Sequence, residues 1–446
     1  MKRHSKWLGW PFLVFLLVTC AQVGAQTATP AKHHPSGDAA AQELNRLLND
    51  AQDAVNNQDF ETAARDYQDY LAKKPDDASV HYNLGYVYTN LERPDDAQAE
   101  YEKAIELEPS DPKIEPAYRN LGTMLLSKDP GAAIDPLEHA TELQPEDAQA
   151  KWLLGVALQR SGKVAPAMEQ FEAARKLDPK DVEISVSFAD ALLESRRYAD
   201  AEAAYRATLA LNPQGAPLEQ AHLGLANCLV AQKKLDEAAA EFGTYLSLAP
   251  NDTAVRIERA SALVDLGKDD DALAELDKAA SAGPENLRAL KLRSEIYWHE
   301  KRYDDAVPVL QKAADLAPRD PDILDRLGRV YLEKKDYPDA LHWFIAAYKL
   351  SPSANDLLSQ VVGAEYLNKN YAETLAGLDT LAKREELPVA SWYLRATCYD
   401  KLGQLPQALA AYQQFLQLNK DENSDMYFVS MSRVRTLTRE LKEKQR

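Results

Sequence analysis

The chain has 446 residues, of which 27% are charged, and its formal net charge at pH 7 is −18. Such an excess of acidic residues argues against binding to nucleic acids or to anionic membranes, which attract basic proteins. With only three cysteines, the composition also gives no disulfide framework.

The first 25 residues have the pattern of a secretion signal. Basic residues precede an apolar run at 8–18, which is too short to span a membrane, and small residues at 23–25 offer a cleavage site. The alternative is a lipoprotein signal in which Cys20 carries the lipid, although Thr19 departs from the Gly, Ala or Ser usual before that cysteine. We therefore expect export to the periplasm or secretion, with lipid anchoring at Cys20 as the alternative.

Residues 26–43 are predicted to form a polar linker, because they are rich in Ala, Thr and Pro. His33 and His34 within it provide only two possible ligands, fewer than a metal site needs. We read this pair as solvated linker residues.

From residue 44 to residue 420 one pattern of about 34 residues recurs. In its clearest copy, at 78–111, Gly85 and Tyr88 lie in one predicted helix, and Ala97 and Tyr101 share a face of a second. Gly85 and Ala97 are small residues among large apolar ones, so the two helices can cross closely there. The prolines that close successive copies stand 34 to 37 residues apart: Pro75, Pro109, Pro145, Pro179, Pro213, Pro250, Pro284, Pro318 and Pro352.

This unit, with a Leu-Gly pair, Tyr88, Ala97, Tyr101 and the closing Pro109, resembles the tetratricopeptide repeat. The resemblance implies an all-α fold, a right-handed superhelical solenoid of about eleven helix-turn-helix repeats over 44–420. Acidic or amide residues follow most of the closing prolines, and we expect them to cap the next helix.

The tenth copy departs from the pattern. Val362 stands where a small residue is usual, Thr374 replaces the alanine, and Glu386 replaces the proline. These changes predict altered packing or a bend. After the eleventh copy, residues 421–446 are predicted to form a C-terminal capping helix, with its helical stretch at 425–444.

No catalytic or metal-binding constellation has the required spacing. The chain has no Walker-type glycine loop, no HExxH, no CxxC pair and no GxSxG elbow. His81 and His222 are interpreted as surface or groove residues, and Cys228 and Cys398 as small buried apolar residues. Because the repeats fill nearly the whole chain, no region is left for a catalytic domain. We expect a protein that is not an enzyme and that has no cofactor and no metal site.

In the family that this sequence resembles, positions 2, 5, 9, 12 and 13 of each repeat face a concave groove. An asparagine at position 6 holds extended peptides in a glycosyltransferase with such repeats. Together these positions give the predicted protein-binding or peptide-binding residues: Asn49, Gln52, Tyr82, Asn83, Tyr86, Asn90, Asn120, Gln149, Trp152, Val156 and Asn227. The corresponding C-terminal positions are mostly charged: Lys291, Glu295, Trp298, Asp325, Arg329 and Glu333. For Tyr82, Tyr86 and Trp152 the sequence leaves open whether they contact a ligand or pack one repeat on the next.

We therefore expect a non-catalytic interaction scaffold that binds a protein or peptide in its groove, outside the cytoplasm, and that binds no nucleic acid. The alternative is a periplasmic or lipid-anchored component of an envelope assembly or polysaccharide export machine. The only membrane contact expected is a lipid on Cys20.

Overall fold

The structure, a computed structural model, describes residues 35–444, with side chains described for 39–443. The predicted signal segment, Cys20, His33 and His34 lie outside the described residues. The regular elements of the described part are the helices α1 (Pro35–Asn56), α2 (Phe60–Leu71), α3 (Ala78–Asn90), α4 (Pro94–Leu107), α5 (Glu115–Lys128), α6 (Ile134–Leu143), α7 (Ala148–Arg160), α8 (Val164–Leu177), α9 (Val182–Glu194), α10 (Tyr198–Leu209), α11 (Ala216–Ala231), α12 (Leu235–Leu248), α13 (Thr253–Asp265), α14 (Asp269–Ala282), α15 (Leu287–His299), α16 (Tyr303–Leu316), α17 (Pro321–Glu333), α18 (Tyr337–Leu350), α19 (Asn355–Leu367), α20 (Tyr371–Ala382), α21 (Val389–Lys401), α22 (Leu405–Leu418) and α23 (Asp425–Lys444), with a 3-10 turn at Pro112–Ile114 before α5.

Along the described chain these helices follow one another as eleven pairs and a final single helix. This confirms the all-α repeat fold predicted from the sequence. One boundary differs, because α1 begins at Pro35, inside the stretch predicted to be a linker. Pro35 costs little at the first helical position, where its missing N–H would have no partner. The alanines at 39–41, followed by Gln42 and Glu43, are strong helix formers.

The described chain forms two compact units. Unit 1 contains residues 35–128 and 142–144, and unit 2 contains 129–141 and 145–444. Within unit 1 each helix from α1 to α5 packs on the next, and the same holds within unit 2 from α7 to α23. In unit 2 the first helices of neighbouring repeats also contact each other, as α7 contacts α9 and α13 contacts α15. We call the surface that these first helices share the first-helix face.

The two helices of a repeat cross at a glycine. A Cβ added to Gly85 on α3 would lie 2.8 Å from ring carbons of Tyr101 on α4, and one added to Gly155 on α7 would lie 2.6 Å from a ring carbon of Phe171 on α8. Real Cβ atoms essentially never come that close to another heavy atom. The close crossing predicted at Gly85 is therefore confirmed, and the aromatic ring of the second helix fills the space that the glycine leaves.

Helix starts are capped by the residues that follow the closing prolines, as predicted. The side chains that accept hydrogen bonds from backbone N–H groups of the next helix are Asp77, Asp147, Asp181, Asp252, Asn286 and Asp320. Each satisfies a donor that has no partner inside the helix. Part of the negative charge of the chain therefore defines where helices begin.

First helices end at a residue in the left-handed backbone region. This residue has a positive φ in ten of the eleven described repeats, and in only three of them is it a glycine. In the ninth repeat Lys335 has φ 62°, and the following N–H, on Asp336, donates to the carbonyl of Tyr331 at 2.9 Å. This bond closes a Schellman motif, in which glycine is the least strained residue.

The tenth repeat has altered packing, as its sequence predicts. Val362 on α19 is buried, and the space where Gly377 on α20 would carry a Cβ is occupied by a methyl group of Val362. The small residue has therefore moved from the first helix to the second. Thr374 is fully buried, and its hydroxyl donates to the carbonyl of Asn370 at 2.9 Å.

The last helix, α23, covers the final repeat. Leu437 is fully buried in a cluster that includes Ala408 and Tyr412 of α22. Arg433 of α23 holds Asp400 of α21 with two bonds, at 2.7 and 2.5 Å. An apolar contact and an ion pair thus fix the capping helix in place.

Candidate functional site

In unit 1, the predicted site residues lie on α1, α3 and α5, the first helices of their repeats. Asn49 and Gln52 on α1 are exposed, and so is Asn90 on α3. Asn83 and Tyr86 on α3 are half-buried. The amide of Asn90 donates to the carbonyl of Tyr86 at 2.8 Å. These residues are placed on the surface or at its margin, where a ligand could reach them.

Tyr82 and Asn120, by contrast, belong to an internal polar contact of unit 1. The ring of Tyr82 lies 6.0 Å from that of Tyr101, centroid to centroid. Asn120 Nδ2 donates to the Tyr101 hydroxyl at 3.2 Å, and the Thr89 hydroxyl contacts the same atom at 3.0 Å. Burial raises the pKa of Tyr82. These two predicted residues hold α3, α4 and α5 together, which favours the packing role for Tyr82.

In unit 2, Gln149, Trp152 and Val156 lie half-buried on α7, and Asn227 is exposed on α11. The indole N–H of Trp152 donates to the hydroxyl of Ser187 at 2.8 Å, and the Gln149 amide donates to Asp181 at 3.0 Å. Both bonds join α7 to the next repeat. The polar ends of Trp152 and Gln149 therefore serve repeat-to-repeat packing, and only their remaining surface is left for a ligand.

A pocket of about 370 Å³ lies on the first-helix face further along unit 2. It is formed by α15, α16 and α17, and its lining residues are Ser294, Trp298, Leu310, Asp322, Asp325, Arg326, Arg329 and Val330. Three of these, Trp298, Asp325 and Arg329, are groove positions by the register of the repeat. The predicted site residues did not include them, because their charge set them apart from the N-terminal positions. The signal that could have found the pocket is the tryptophan among charged groove positions.

The pocket combines an apolar base with charged groups. Leu310 and Val330 are each only 1% exposed and form apolar wall. The ring of Trp298 is half-buried and packs edge-on against Tyr303, with centroids 5.5 Å apart. Arg329 Nε donates to Asp325 Oδ2 at 2.6 Å. This arrangement can hold an apolar stem and can form directed hydrogen bonds.

Asp325 has a second carboxylate oxygen with a different environment. The side chain is 14% exposed, and Oδ1 is buried and accepts no hydrogen bond from any described residue. A buried acceptor without a donor costs free energy, on the order of 1–3 kcal/mol. A ligand that donates a hydrogen bond there would recover part of that cost.

One interpretation of the sequence is wrong: His81 is not a surface or groove residue. It is 9% exposed, and its ring nitrogens contact a carboxylate oxygen of Glu100 at 2.6 Å and the Pro75 carbonyl at 2.8 Å. The hydrogen bond with Glu100 raises the pKa of His81. Arg256 repeats this arrangement in unit 2, reaching Glu275 at 2.7 Å. A base on the first helix and a glutamate 19 residues later is a sequence signal that identifies this structural brace.

Unit 2 also buries a carboxyl group that the sequence does not single out. Asp190 accepts hydrogen bonds from the Tyr205 hydroxyl and the Gln220 amide. Burial raises the pKa of Asp190 to about 6. Cys228 and Cys398 are fully buried free thiols, as predicted, and burial raises their pKa values to about 12 and about 11. Buried thiols of this kind are poor nucleophiles.

Two searches of the described residues found nothing. No three His, Cys, Asp or Glu side chains between 35 and 444 are grouped so that they could hold a metal ion. No helix in the same part of the chain is long and apolar enough to cross a membrane.

The fold and the first-helix face define a helical-hairpin repeat protein. A tetratricopeptide repeat family model matches residues 48–112, 127–182, 186–253 and 257–321, which together are more than half of the chain. Two further tetratricopeptide repeat models match 297–356 and 389–422. The chain belongs to the tetratricopeptide repeat family. Proteins of this family are generally protein-interaction scaffolds, and the fold is typically non-catalytic.

Solved structures with similar folds include three tetratricopeptide-type proteins of different lengths. A tetratricopeptide repeat protein from Parabacteroides merdae is 18% identical, with 57% of this chain and 98% of that chain covered and a TM-score of 0.41. YrrB, described as having an unusual peptide-binding site, is 20% identical over 41% of this chain and 92% of its own, with a TM-score of 0.38. Yeast Tom70 is 15% identical over 90% of this chain and 97% of its own, with a TM-score of 0.35. At these identities and TM-scores the likeness carries no information on function. No curated protein matches the sequence.

Proposed function

We propose that this chain is a non-catalytic scaffold that binds a protein or peptide on the first-helix face of unit 2. The observation that carries the proposal is the pocket between α15 and α17. Its volume of about 370 Å³ lies at the lower end of the range for ligand pockets, roughly 300–1,000 Å³. It is large enough to receive one side chain of a partner, while the neighbouring surface of the first helices contacts the rest.

Trp298 is the residue that we expect to contribute most to binding. Tryptophan and arginine dominate the energetics of protein interfaces, especially where they border a pocket that excludes water. Trp298 is held by Tyr303 and Arg329 is held by Asp325, so little side-chain entropy is lost when a partner binds. The scaffold is ordered beforehand.

The test is capture of a partner by the purified full-length chain, compared with the variants Trp298→Glu and Trp152→Glu. Circular dichroism would first show that both variants keep the helical content of the wild type. We expect a partner that is retained by the wild type and by Trp152→Glu but lost by Trp298→Glu. A partner lost only by Trp152→Glu would move the site to α7, and one retained by both variants would refute binding at the first-helix face.

We further propose that the protein acts outside the cytoplasm, in the periplasm or as a secreted protein, with a lipid on Cys20 as the alternative form. The support is the basic and apolar pattern of residues 1–25. A fusion of the chain to alkaline phosphatase, which is active only after export, tests the location. Radiolabelled palmitate incorporated by the wild type and not by Cys20→Ser would favour the lipid-anchored form. A cytoplasmic, inactive fusion would refute export.

The alternative role is a component of an envelope assembly or polysaccharide export machine, and it depends on the same N-terminal pattern. It predicts that the captured partner is a membrane-embedded complex and that capture requires detergent-solubilised envelopes. Capture of a soluble partner alone would exclude this role.

A further inference from the structure

We propose that the pocket between α15 and α17 selects a single basic side chain, arginine or lysine, from the bound segment. This inference rests on the proposed function, since it names the chemical class that the same site recognises. It adds a specificity that neither the family nor the register of the repeat assigns.

The walls of the pocket suit the stem of a long basic side chain. Leu310 and Val330 are almost completely buried and offer apolar contact, and the Trp298 ring lines the same space. Arginine and lysine bury their methylene stems against apolar surface while their charged heads reach polar groups. A guanidinium or ammonium group beside the tryptophan ring would also gain a cation–π interaction.

The carboxylate of Asp325 provides the acceptor for the charged head. Arg329 occupies Oδ2 at 2.6 Å, whereas Oδ1 is buried without a donor among the described residues. Asp322 adds a second, exposed carboxylate to the pocket lining. A ligand N–H would therefore complete the hydrogen bonding of Asp325 and would bring the positive charge that two carboxylates favour. An acidic or purely apolar side chain would leave Oδ1 without a donor.

The two arginines of the pocket restrict this preference to one basic residue. Arg329 is paired with Asp325, so its charge is largely compensated. Arg326 is exposed, and the structure shows no ion pair for it with any residue between 39 and 443. A run of basic residues in the ligand would meet Arg326 and be repelled, while a single basic residue between neutral ones would not.

The charge of the whole chain supports a basic ligand. A net charge of −18 attracts cationic partners over distances of about a Debye length and raises their association rate. The pocket then supplies the short-range selection.

The experiment measures binding of small side-chain probes to the full-length chain. The chain is labelled with 5-fluorotryptophan, and the Trp298 signal is identified in the ¹⁹F NMR spectrum by its loss in Trp298→Phe. The probes are N-acetyl-arginine methylamide, the neutral isostere N-acetyl-citrulline methylamide, and N-acetyl-glutamate methylamide. Arginine and citrulline have nearly the same shape, so their comparison isolates the charge.

We expect the arginine probe to shift the Trp298 signal at a concentration at least fivefold lower than the citrulline probe does. Asp325→Asn should reduce that preference below twofold, and the matched control Asp356→Asn, an exposed residue of α19, should leave it unchanged. The wild-type comparison of arginine with citrulline needs no variant, so the proposal stays testable even if Asp325→Asn fails to fold.

Three results would overturn the inference: equal binding of arginine and citrulline, tighter binding of the glutamate probe, or no shift of the Trp298 signal with any probe. If a protein partner is nevertheless captured through Trp298, only the basic specificity fails and the proposed function stands. If capture is also insensitive to Trp298→Glu, the proposed site fails as well.

Discussion

Replacing Gly155 with alanine tests the packing rule on which every regular repeat depends. The new Cβ would lie 2.6, 2.7 and 3.1 Å from three ring carbons of Phe171, where ordinary contacts begin at 3.4 Å. Relieving that overlap must displace the ring or spread α7 from α8, and overpacking of this kind costs about 1–3 kcal/mol. Against this, alanine is favoured over glycine inside a helix by about 1 kcal/mol. The expected net loss of stability is therefore between zero and about 2 kcal/mol.

Gly363 provides a matched control in the same unit. It lies inside α19, and a Cβ there would have no neighbour within 4 Å. Gly363→Ala should therefore gain the full helical preference, about 1 kcal/mol. The difference between the two variants isolates the packing cost, about 1–3 kcal/mol.

The assay is native-state hydrogen exchange of peptides from the altered helix pair, because repeat arrays do not always unfold in one step and a global midpoint can mislead. Urea unfolding followed by circular dichroism would complement it. A double variant, Gly155→Ala with Phe171→Leu, should recover part of the loss, since leucine removes the ring that the new methyl group meets. If Gly155→Ala and Gly363→Ala agree within about 0.5 kcal/mol, a difference too small for a real overlap, the crossing is not as close as we describe.

Three further predictions concern single groups. Asp190 has a pKa of about 6 in the folded chain against about 3.9 when unfolded, so stability should fall as the pH rises from 4 to 6 and stay lower above it; Asp190→Asn should raise stability at pH 7 by about 2–3 kcal/mol and flatten that dependence in urea titrations. His81 has a raised pKa because of Glu100, so its bond stabilises the fold fully below pH 6.5 and is lost as the pH rises through the folded pKa; Glu100→Gln should lower that pKa in an NMR titration, and an unchanged value would contradict the assigned cause. Lys335→Gly should stabilise the chain by about 1 kcal/mol because φ is 62° there, whereas Gly267→Lys at the same repeat position should destabilise it by a similar amount, and thermal unfolding of both would expose an error in either.

The sequence was sufficient to predict the interior of the repeats because their constraints are local and periodic. Gly85 and Tyr101 lie on consecutive helices in one copy, and their counterparts recur at a fixed interval, so register alone places them face to face. The caps follow for the same reason, since Asp77 needs only to stand next to the helix that it starts. Only the first helix escaped this logic, because no repeat precedes it to fix where it begins.

The tenth repeat shows where register stops being sufficient. The sequence shows that Val362 replaces a small residue, which predicts strain or altered packing. It does not show that Gly377 makes room for that valine, because Gly377 lies one position away from the residue that usually meets the first helix. Compensation across a helix crossing depends on the angle and shift of the two helices, and single-sequence periodicity does not encode either.

The candidate site was predicted less well, because a groove position fixes where a side chain starts and not what it meets. Trp152 faces the first-helix side as expected, yet its N–H is taken by Ser187, which lies 35 residues later. Trp298 occupies the equivalent side of another repeat, where the neighbouring helices leave a pocket beside it. The two tryptophans cannot be told apart by register, and only the side chains of the next repeat decide between packing and binding.

This division has a physical origin in the repeat itself. Glycine–aromatic crossings, caps and left-handed turns must be satisfied in every copy, so they leave little freedom for specificity. The residues on the first-helix face are not held by those constraints, and within unit 2 they range from the hydrogen-bonded Gln149 to the charged pair of Asp325 and Arg329. Specificity in such a scaffold must therefore come from positions where the repeat is irregular in chemistry but regular in geometry. The pocket beside Trp298 meets both conditions, since its helices keep the regular crossing while its lining brings a buried, incompletely bonded carboxylate to the surface that a partner can reach.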